Sequence, residues 1–303
     1  MGVKKPKKNT LKNPKKKTKK PKTKKPKTKT FKKLRCSPSK NPEFTCYSNN
    51  SLEKLKQLWN IRHPDSKIIT NNSYEIWSML KQYMQHICSN EKCWLNQKFM
   101  HNNVNLELKN NTFAPKSPES WKKNPNQWLS SVDIDRVMQQ YEKNYPVFTF
   151  IGPSPIDFDK KKLFGQCVWN ELCDFDLKQH IKKGHNKIGI VFNTDPHYLE
   201  GSHWICMFIN INKNFIYYFD SNADNTPKQI NIFAKRIIDQ GNLLGYKLNY
   251  YKNKIVHQKS NTECGMYVLY IIIQLLKTNS TPQIFDKRIP DKYMKKLRKI
   301  LFN

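Results

Sequence analysis

Residues 201–222 read GSHWICMFININKNFIYYFDSN, and residues 258–273 read QKSNTECGMYVLYIII. The first stretch holds two runs of β-branched and aromatic residues joined by the polar turn Ile211-Asn212-Lys213-Asn214, which predicts a β-hairpin. A hairpin brings the start of its first strand and the end of its second to the same end of the sheet. His203 stands at that start and Asp220 just past that end, so residues seventeen apart are predicted to meet. A carboxylate placed there can hold one imidazole nitrogen, fix the tautomer and stabilise the imidazolium. The second stretch is apolar nearly all round after Cys264, the pattern of a buried helix. A thiol at a helix N-terminus meets the positive end of the dipole, and a neighbouring imidazolium favours thiolate, the nucleophilic form. Gly265 lets another part of the chain approach. Gln258, six residues before Cys264, can offer its amide N–H₂ to a developing oxyanion beside the Cys264 N–H. Taken singly each residue has an ordinary reading: a structural cysteine, a satisfied core histidine, an aspartate shaping a turn. Their conjunction points to a Cys–His–Asp centre.

Working outward, Lys187–Asn193, Phe215–Phe219 and Tyr246–Tyr251 read as further strands, with Thr226–Gln240 as a helix between the last two. Tyr145–Ile151 reads as a short strand ended by Gly152-Pro153, and Leu163–His180 as helical. Ser131, Asp133 and Asp135 introduce a helix carrying Val132, Ile134, Val137, Met138 and Tyr141. Asp291–Leu301 reads as a basic amphipathic helix. The fold class is therefore α+β, a mixed β-sheet flanked by helices, over residues 120–303. Residues 41–115 read as a helical N-terminal subdomain, with Leu52, Leu55, Leu58 and Trp59 in one helix and Ile76, Trp77, Leu80, Met84 and Ile87 in another. Within it His86, Cys88, Cys93 and His101 are conceivable metal ligands, but their spacing matches no standard zinc pattern and packing roles are preferred. Residues 109–126 read as a linker.

Charge separates the N-terminus from the rest. The chain has a formal net charge of +32, and residues 1–35 hold seventeen Lys, one Arg and no acid. Residues 1–40 are a Lys/Pro/Thr segment with nothing apolar to bury, expected to be disordered. Residues 1–35 are expected to bind nucleic acid non-specifically, since each lysine can neutralise a phosphate and release a counterion. An anionic membrane surface is the second candidate. The N-terminus lacks the apolar core of a secretory signal, and Pro6 stands where an acylation signal after Gly2 needs Ser or Thr. The longest apolar run, Met266–Ile273, is too short to span a bilayer. Without a secretory signal, the eight cysteines are read as reduced thiols, mostly in apolar surroundings.

The order His…Asp…Gln…Cys, with HW, YFDS and QKSNTECG as landmarks, resembles the ubiquitin-like-protein (SUMO) proteases and their viral relatives, adenain and the maturation proteases of large DNA viruses. The likeness spans about residues 125–280 and is nearest to giant-virus thiol proteases. It implies an adenain-like fold with Cys264 as nucleophile, His203 as general base and acid, Asp220 as the group orienting His203, and Gln258 as oxyanion donor. It further implies that Trp204 walls a narrow groove for small residues such as Gly-Gly or Ala-Gly. QWLSSVDIDRVM resembles the family's early Trp-Leu block, which makes Trp128 the opposite wall. Three positions depart from the pattern: Glu263 and Asn261 replace the usual Asp and Gly, and Ser130-Ser131 replace Asn/Asp-Asp. Asn261 is expected to tolerate the positive φ that a glycine there would supply.

The expected function is thus a cysteine endopeptidase cleaving viral structural precursors after small residues during virion maturation, in the virion and infected-cell cytoplasm, with the nucleus as alternative compartment. No metal or cofactor is expected, with DNA or peptide activation left open. Two other readings are an isopeptidase acting on host ubiquitin or SUMO-like modifiers, and an inert basic nucleic-acid-binding virion protein. Gly165-Gln166-Cys167-Val168-Trp169 faintly resembles the papain-like nucleophile segment, so Cys167 is a rival nucleophile.

Overall fold

The computed structural model describes residues 1–2, 30–38, 43–100 and 102–303. Of the segment 1–40 expected to be disordered, residues 3–29 and 39–40 lie outside them, as does His101; the expectation fails for the described part around Phe31–Cys36, where Phe31, Leu34 and Cys36 pack on the N-terminal core and Arg35 bonds to Asn303.

Five strands make one sheet in the order β1 (Phe148–Pro155), β2 (Lys187–Asn193), β3 (Trp204–Asn210), β4 (Phe215–Phe219) and β5 (Asn249–Lys252). The β2–β3 and β3–β4 pairs are antiparallel, and β1–β2 and β4–β5 are parallel. This is the mixed sheet predicted, and the hairpin is in register, with Cys206 opposite Phe219 and Asn210 opposite Phe215. Every residue of β3 and β4 is buried. Such strands are covered on both faces, as continuous apolar runs require.

The helices, in chain order, are α1 (Asn49–Arg62), α2 (Ser73–Met84), α3 (Asn102–Thr112), α4 (Ser131–Asn144), α5 (Asn170–Cys173), α6 (Leu177–Lys182), α7 (Lys228–Leu243), α8 (Cys264–Thr278) and α9 (Asp291–Leu301). One sheet face takes α8 and α4, where Phe208, Phe148 and Tyr217 meet Val137, Val268 and Ile272. The other takes α7 and the short α5 and α6, where Ile205, Met207 and Ile209 meet Phe233 and Ile237. A fully buried apolar side chain contributes roughly 1.5–3 kcal/mol, so α8 is the element around which the domain condenses. It buries eleven of its fifteen residues.

Residues 43–113 have their own aromatic core, including Leu52, Leu55, Trp59, Ile76, Leu80 and Trp94. They attach to the sheet domain through Gln140 of α4, whose amide donates to the carbonyls of Asn110 (2.5 Å) and Phe113 (2.9 Å). A second attachment joins Arg35 and residues 114–117 to Phe302 and Asn303.

Several expectations need correction. Ile87 does not join the α2 face and is 60% exposed. Leu163–His180 is not one helix: an isolated Lys161–Cys167 bridge and the two short helices α5 and α6 replace it, because Gly165 and Phe164 adopt positive φ and break the helical run. The linker over 109–126 begins inside α3, and Gly152-Pro153, a cis peptide, interrupts rather than ends β1, which resumes after a register shift at Ser154. Six cysteines are not thiols but disulfides: Cys36–Cys46, Cys88–Cys93 and Cys167–Cys173, with Cα separations of 5.0, 5.4 and 6.2 Å, inside the bridging range. Local sequence cannot show which sulfurs folding will bring together. The pairing removes Cys88 and Cys93 from the metal-ligand candidates and Cys167 from the candidate nucleophiles. Cys206 and Cys264 are the free cysteines among the described residues.

Candidate active site

The hairpin delivers its two polar ends to one rim. His203 immediately precedes β3 and Asp220 immediately follows β4, and His203 Nε2 lies 2.7 Å from Asp220 Oδ1. The carboxylate is almost buried, at 3% exposure for the residue. It is fixed from several sides: Asn222 N donates to Asp220 Oδ1 (2.8 Å), Asp220 N donates to Asn253 Oδ1 (2.9 Å), and Asn253 Nδ2 donates to the Asp220 carbonyl (2.7 Å). Asn253 reaches it because β5 runs parallel to β4 and ends beside it.

Cys264 opens α8 beneath this rim, near enough to His203 to interact with its ring. With Nε2 taken by Asp220, Nδ1 is the ring nitrogen left for the thiol. Imidazole and carboxylate are bonded, and Cys264, only 1% exposed, lies within interacting range of the ring. Burial alone would pull the His203 pKa down. Hydrogen bonds and charge from Asp220 and Cys264 outweigh it and hold the imidazolium up to about 10. The folded pKa lies above the unfolded value near 6.5, so the proton's contribution to stability is fully present below pH 6.5 and is lost as pH rises through about 10. The difference in urea midpoint between the wild type and His203→Gln is accordingly expected to shrink between pH 6.5 and 9.5. A constant difference would contradict the stated linkage.

The segment before Cys264 is held by α9. Asp291 Oδ2 accepts from Lys259 N (3.1 Å) and Ser260 N (3.0 Å), and the Tyr267 hydroxyl of α8 donates to Asp291 Oδ1 (2.8 Å). One helical face further along, Arg298 Nε donates to Glu263 Oε2 (2.8 Å), Nη1 to the Gln127 carbonyl (2.8 Å) and Nη2 to the Thr262 carbonyl (2.9 Å). Glu263 is fully buried and Arg298 nearly so. Gln258 is also placed: the Ser221 hydroxyl donates to its Oε1 (2.9 Å), and the Ser221 carbonyl accepts from both His257 N and Gln258 N. Its Nε2 is thereby the amide atom left unbound by Ser221.

Trp128 and Trp204 both reach the nucleophile segment. Trp128, 41% exposed, donates from Nε1 to the Asn261 carbonyl (2.6 Å). Trp204 is largely buried and donates from Nε1 to the Leu129 carbonyl (2.9 Å). A Cβ at Gly265 would lie 2.9 Å from Leu129 Cβ and 3.2 Å from Trp204 Cδ1. Gly265 thus admits these two side chains to the start of α8. A cleft of about 370 Å³ opens along Trp204, lined among others by Pro153, Asn193, His197, Leu199 and Gly201. Two departures from the family pattern are explained. Asn261 does not adopt positive φ; it uses its carbonyl to seat Trp128. Ser130 caps α4 in a capping box with Asp133.

The site residues named from sequence are thus brought together, with Trp204 more buried than an open groove wall. Missed were Ser221, Asn253, Asp291 and Arg298. Arg298 and Asp291 lie seven residues apart on the face of α9 carrying buried Met294 and Leu301, a spacing that marks inward polar groups on a helix read as merely basic.

Comparison with known proteins places this geometry. Residues 186–303 match the Ulp1 protease family, C-terminal catalytic domain. The chain is 29% identical over 290 residues to a protein of Acanthamoeba polyphaga mimivirus named as a thiol protease, covering 88% of this chain and 92% of that one. It is 25% identical over 260 residues to an African swine fever virus SUMO-1 cysteine protease, covering 80% and 93% respectively. The crystal structure of the African swine fever virus protease superposes with a TM-score of 0.60 at 22% identity, over 89% of this chain and 95% of that one, and so shares the fold. Over residues 186–303 the chain is thus similar to the catalytic domain of the Ulp1 protease family, and its viral relatives are named as thiol and cysteine proteases.

Proposed function

We propose that the chain hydrolyses protein substrates after small residues of the Gly-Gly-X or Ala-Gly-X type, with Cys264 as nucleophile. The observation that carries this reading is the Cys264–His203–Asp220 series, closed by the 2.7 Å bond between ring and carboxylate. In the first half-reaction Cys264 sulfur attacks the scissile carbonyl carbon and the His203 imidazolium gives its proton to the leaving amine. In the second, His203 takes a proton from water, which displaces the thiol from the acyl-enzyme. The Cys264 N–H and the Gln258 amide face the developing oxyanion. The tight packing of Leu129 and Trp204 over Gly265 leaves little room for side chains next to the scissile bond. Asp220 keeps the ring oriented throughout.

The substrate reading is cleavage of structural precursors during virion maturation, in the virion or infected-cell cytoplasm. The lysine-rich N-terminus would hold the enzyme near packaged genome. The second reading, action on a ubiquitin-like modifier, is favoured by the African swine fever virus relative's name as a SUMO-1 cysteine protease. One set of probes separates them. A Gly-Gly-vinyl sulfone peptide is expected to form a single adduct, which mass spectrometry maps to Cys264. SUMO-vinyl sulfone labelling far faster than the peptide selects the modifier reading, and no adduct at Cys264 with either sinks both.

Ser221 gives a sharper test of the oxyanion assignment. Ser221→Ala frees the Gln258 amide to rotate and is expected to lower kcat about tenfold with KM little changed, less than the ~10²–10³ lost when a donor itself is removed. Iodoacetamide alkylation of Cys264 should proceed at the wild-type rate. Equal losses in alkylation and turnover would assign Ser221 to general stability instead.

A further inference from the structure

The outer side of α9 borders a cleft that the proposed chemistry does not use. It has a volume of about 490 Å³ and lies where three parts of the chain converge: Arg35, the 117–126 segment and α9 with Phe302. Lys292, Lys295, Lys296 and Lys299 line it, and no Asp or Glu does. None of the four has an ion-pair partner among the described residues. Trp121 and Phe302 supply an aromatic wall, their rings 5.1 Å apart edge to face. Four uncompensated cations on one helix repel one another, a cost that a bound polyanion removes. Clefts where separate segments meet are favoured ligand sites, and this volume lies in the range of small-molecule pockets.

We infer that this cleft binds a compact ligand carrying clustered phosphates, and that the ligand firms α9 against the segment preceding Cys264. The lysines from 292 to 299 span only about 10 Å of helix at ~1.5 Å per residue. That length matches a di- or triphosphate better than the extended track needed for a nucleic-acid duplex. The aromatic wall suits a planar ring attached to the phosphates. Coupling follows from Arg298, whose guanidinium lies 4.7 Å from the Trp121 ring centre and lines the cleft while holding Glu263 and Thr262 on its other side. Asp291, at the start of the same helix, holds the amides of Lys259 and Ser260. A ligand neutralising the outer face therefore steadies both inner anchors. The inference does not require Cys264 to be the nucleophile.

The test is calorimetric titration of the full chain with inorganic tripolyphosphate, ATP and adenosine, repeated on Lys295→Glu/Lys299→Glu. A control, Lys182→Glu/Lys183→Glu, alters two lysines of the α6 region that line none of this cleft. Tripolyphosphate and ATP are expected to bind one to one, and adenosine not to bind. ATP binding more tightly than tripolyphosphate assigns the aromatic wall to the ring, and equal affinity assigns recognition to the phosphates alone; both support the site. The cleft variant should weaken binding at least tenfold and the control less than twofold. Hydrogen exchange at the Lys259 and Ser260 amides should slow at least threefold with saturating ligand. Equal weakening by both variants would show a diffuse response to net charge and overturn the site. So would absence of stoichiometric binding, or binding of duplex DNA without any small phosphate ligand. Unchanged exchange would overturn the coupling.

Discussion

Cys264→Ala is expected to lower kcat/KM for a Gly-Gly peptide substrate by about 10⁵–10⁶-fold, the scale on which loss of a covalent nucleophile removes catalysis in enzymes of this design. The thiol is the one group of the series that forms a bond to carbon, and neither His203 nor Asp220 can replace it. The remaining oxyanion donors still bind substrate, so the variant should keep its affinity for the peptide while losing turnover. Measured by fluorogenic hydrolysis, the contrast with the other sulfurs is the informative part. Cys206 lies fully buried within β3, opposite Phe219, and Cys206→Ala should leave turnover within a few-fold of wild type. Cys167 is joined to Cys173, and Cys167→Ser should likewise leave the chemistry standing. Turnover retained by Cys264→Ala, or abolished by Cys167→Ser alone, would overturn the assignment of the nucleophile.

Much of this centre was legible because it is encoded by local pattern. The β-branched and aromatic runs at 204–210 and 215–219 read as strands, and the four-residue turn between them predicted that positions 203 and 220 meet. The apolar run after Cys264 dictated a buried helix with that residue at its positive end. The supports were not legible, since each depends on a long-range pairing with no local signature. Asn253 reaches Asp220 only because β5 adds in parallel to β4. Ser221 reaches Gln258 across thirty-seven positions. The lack of a secretory signal and apolar surroundings argued for reduced cysteines, yet Cys36–Cys46 and Cys88–Cys93 are set by how the N-terminal subdomain packs. The basic reading of α9 was correct for its exposed lysines and silent on Arg298, which one-dimensional charge counting cannot tell from its neighbours.

Arg298→Met should destabilise the protein by about 3–5 kcal/mol, the usual cost of leaving a buried charge without its partner. Glu263 has no exposure to solvent, and its carboxylate accepts from Arg298 Nε at 2.8 Å. Methionine fills much of the same volume, so the loss arises from charge and hydrogen bonding rather than from a cavity. The Gln127 and Thr262 carbonyls lose their donors as well. Urea unfolding reads the loss directly as a lowered midpoint at unchanged slope. The double variant Arg298→Met/Glu263→Gln distinguishes the cause: removing the stranded charge should return at least half of the lost stability, because a neutral pair at that site costs far less to bury. Activity should not recover in parallel. Thr262 and Glu263 immediately precede the nucleophile, and without the three-way grip of Arg298 the Cys264 thiol loses its fixed approach to His203. A double variant as unstable as the single would locate the contribution of Arg298 in its stacking on Trp121 and its carbonyl contacts rather than in the ion pair.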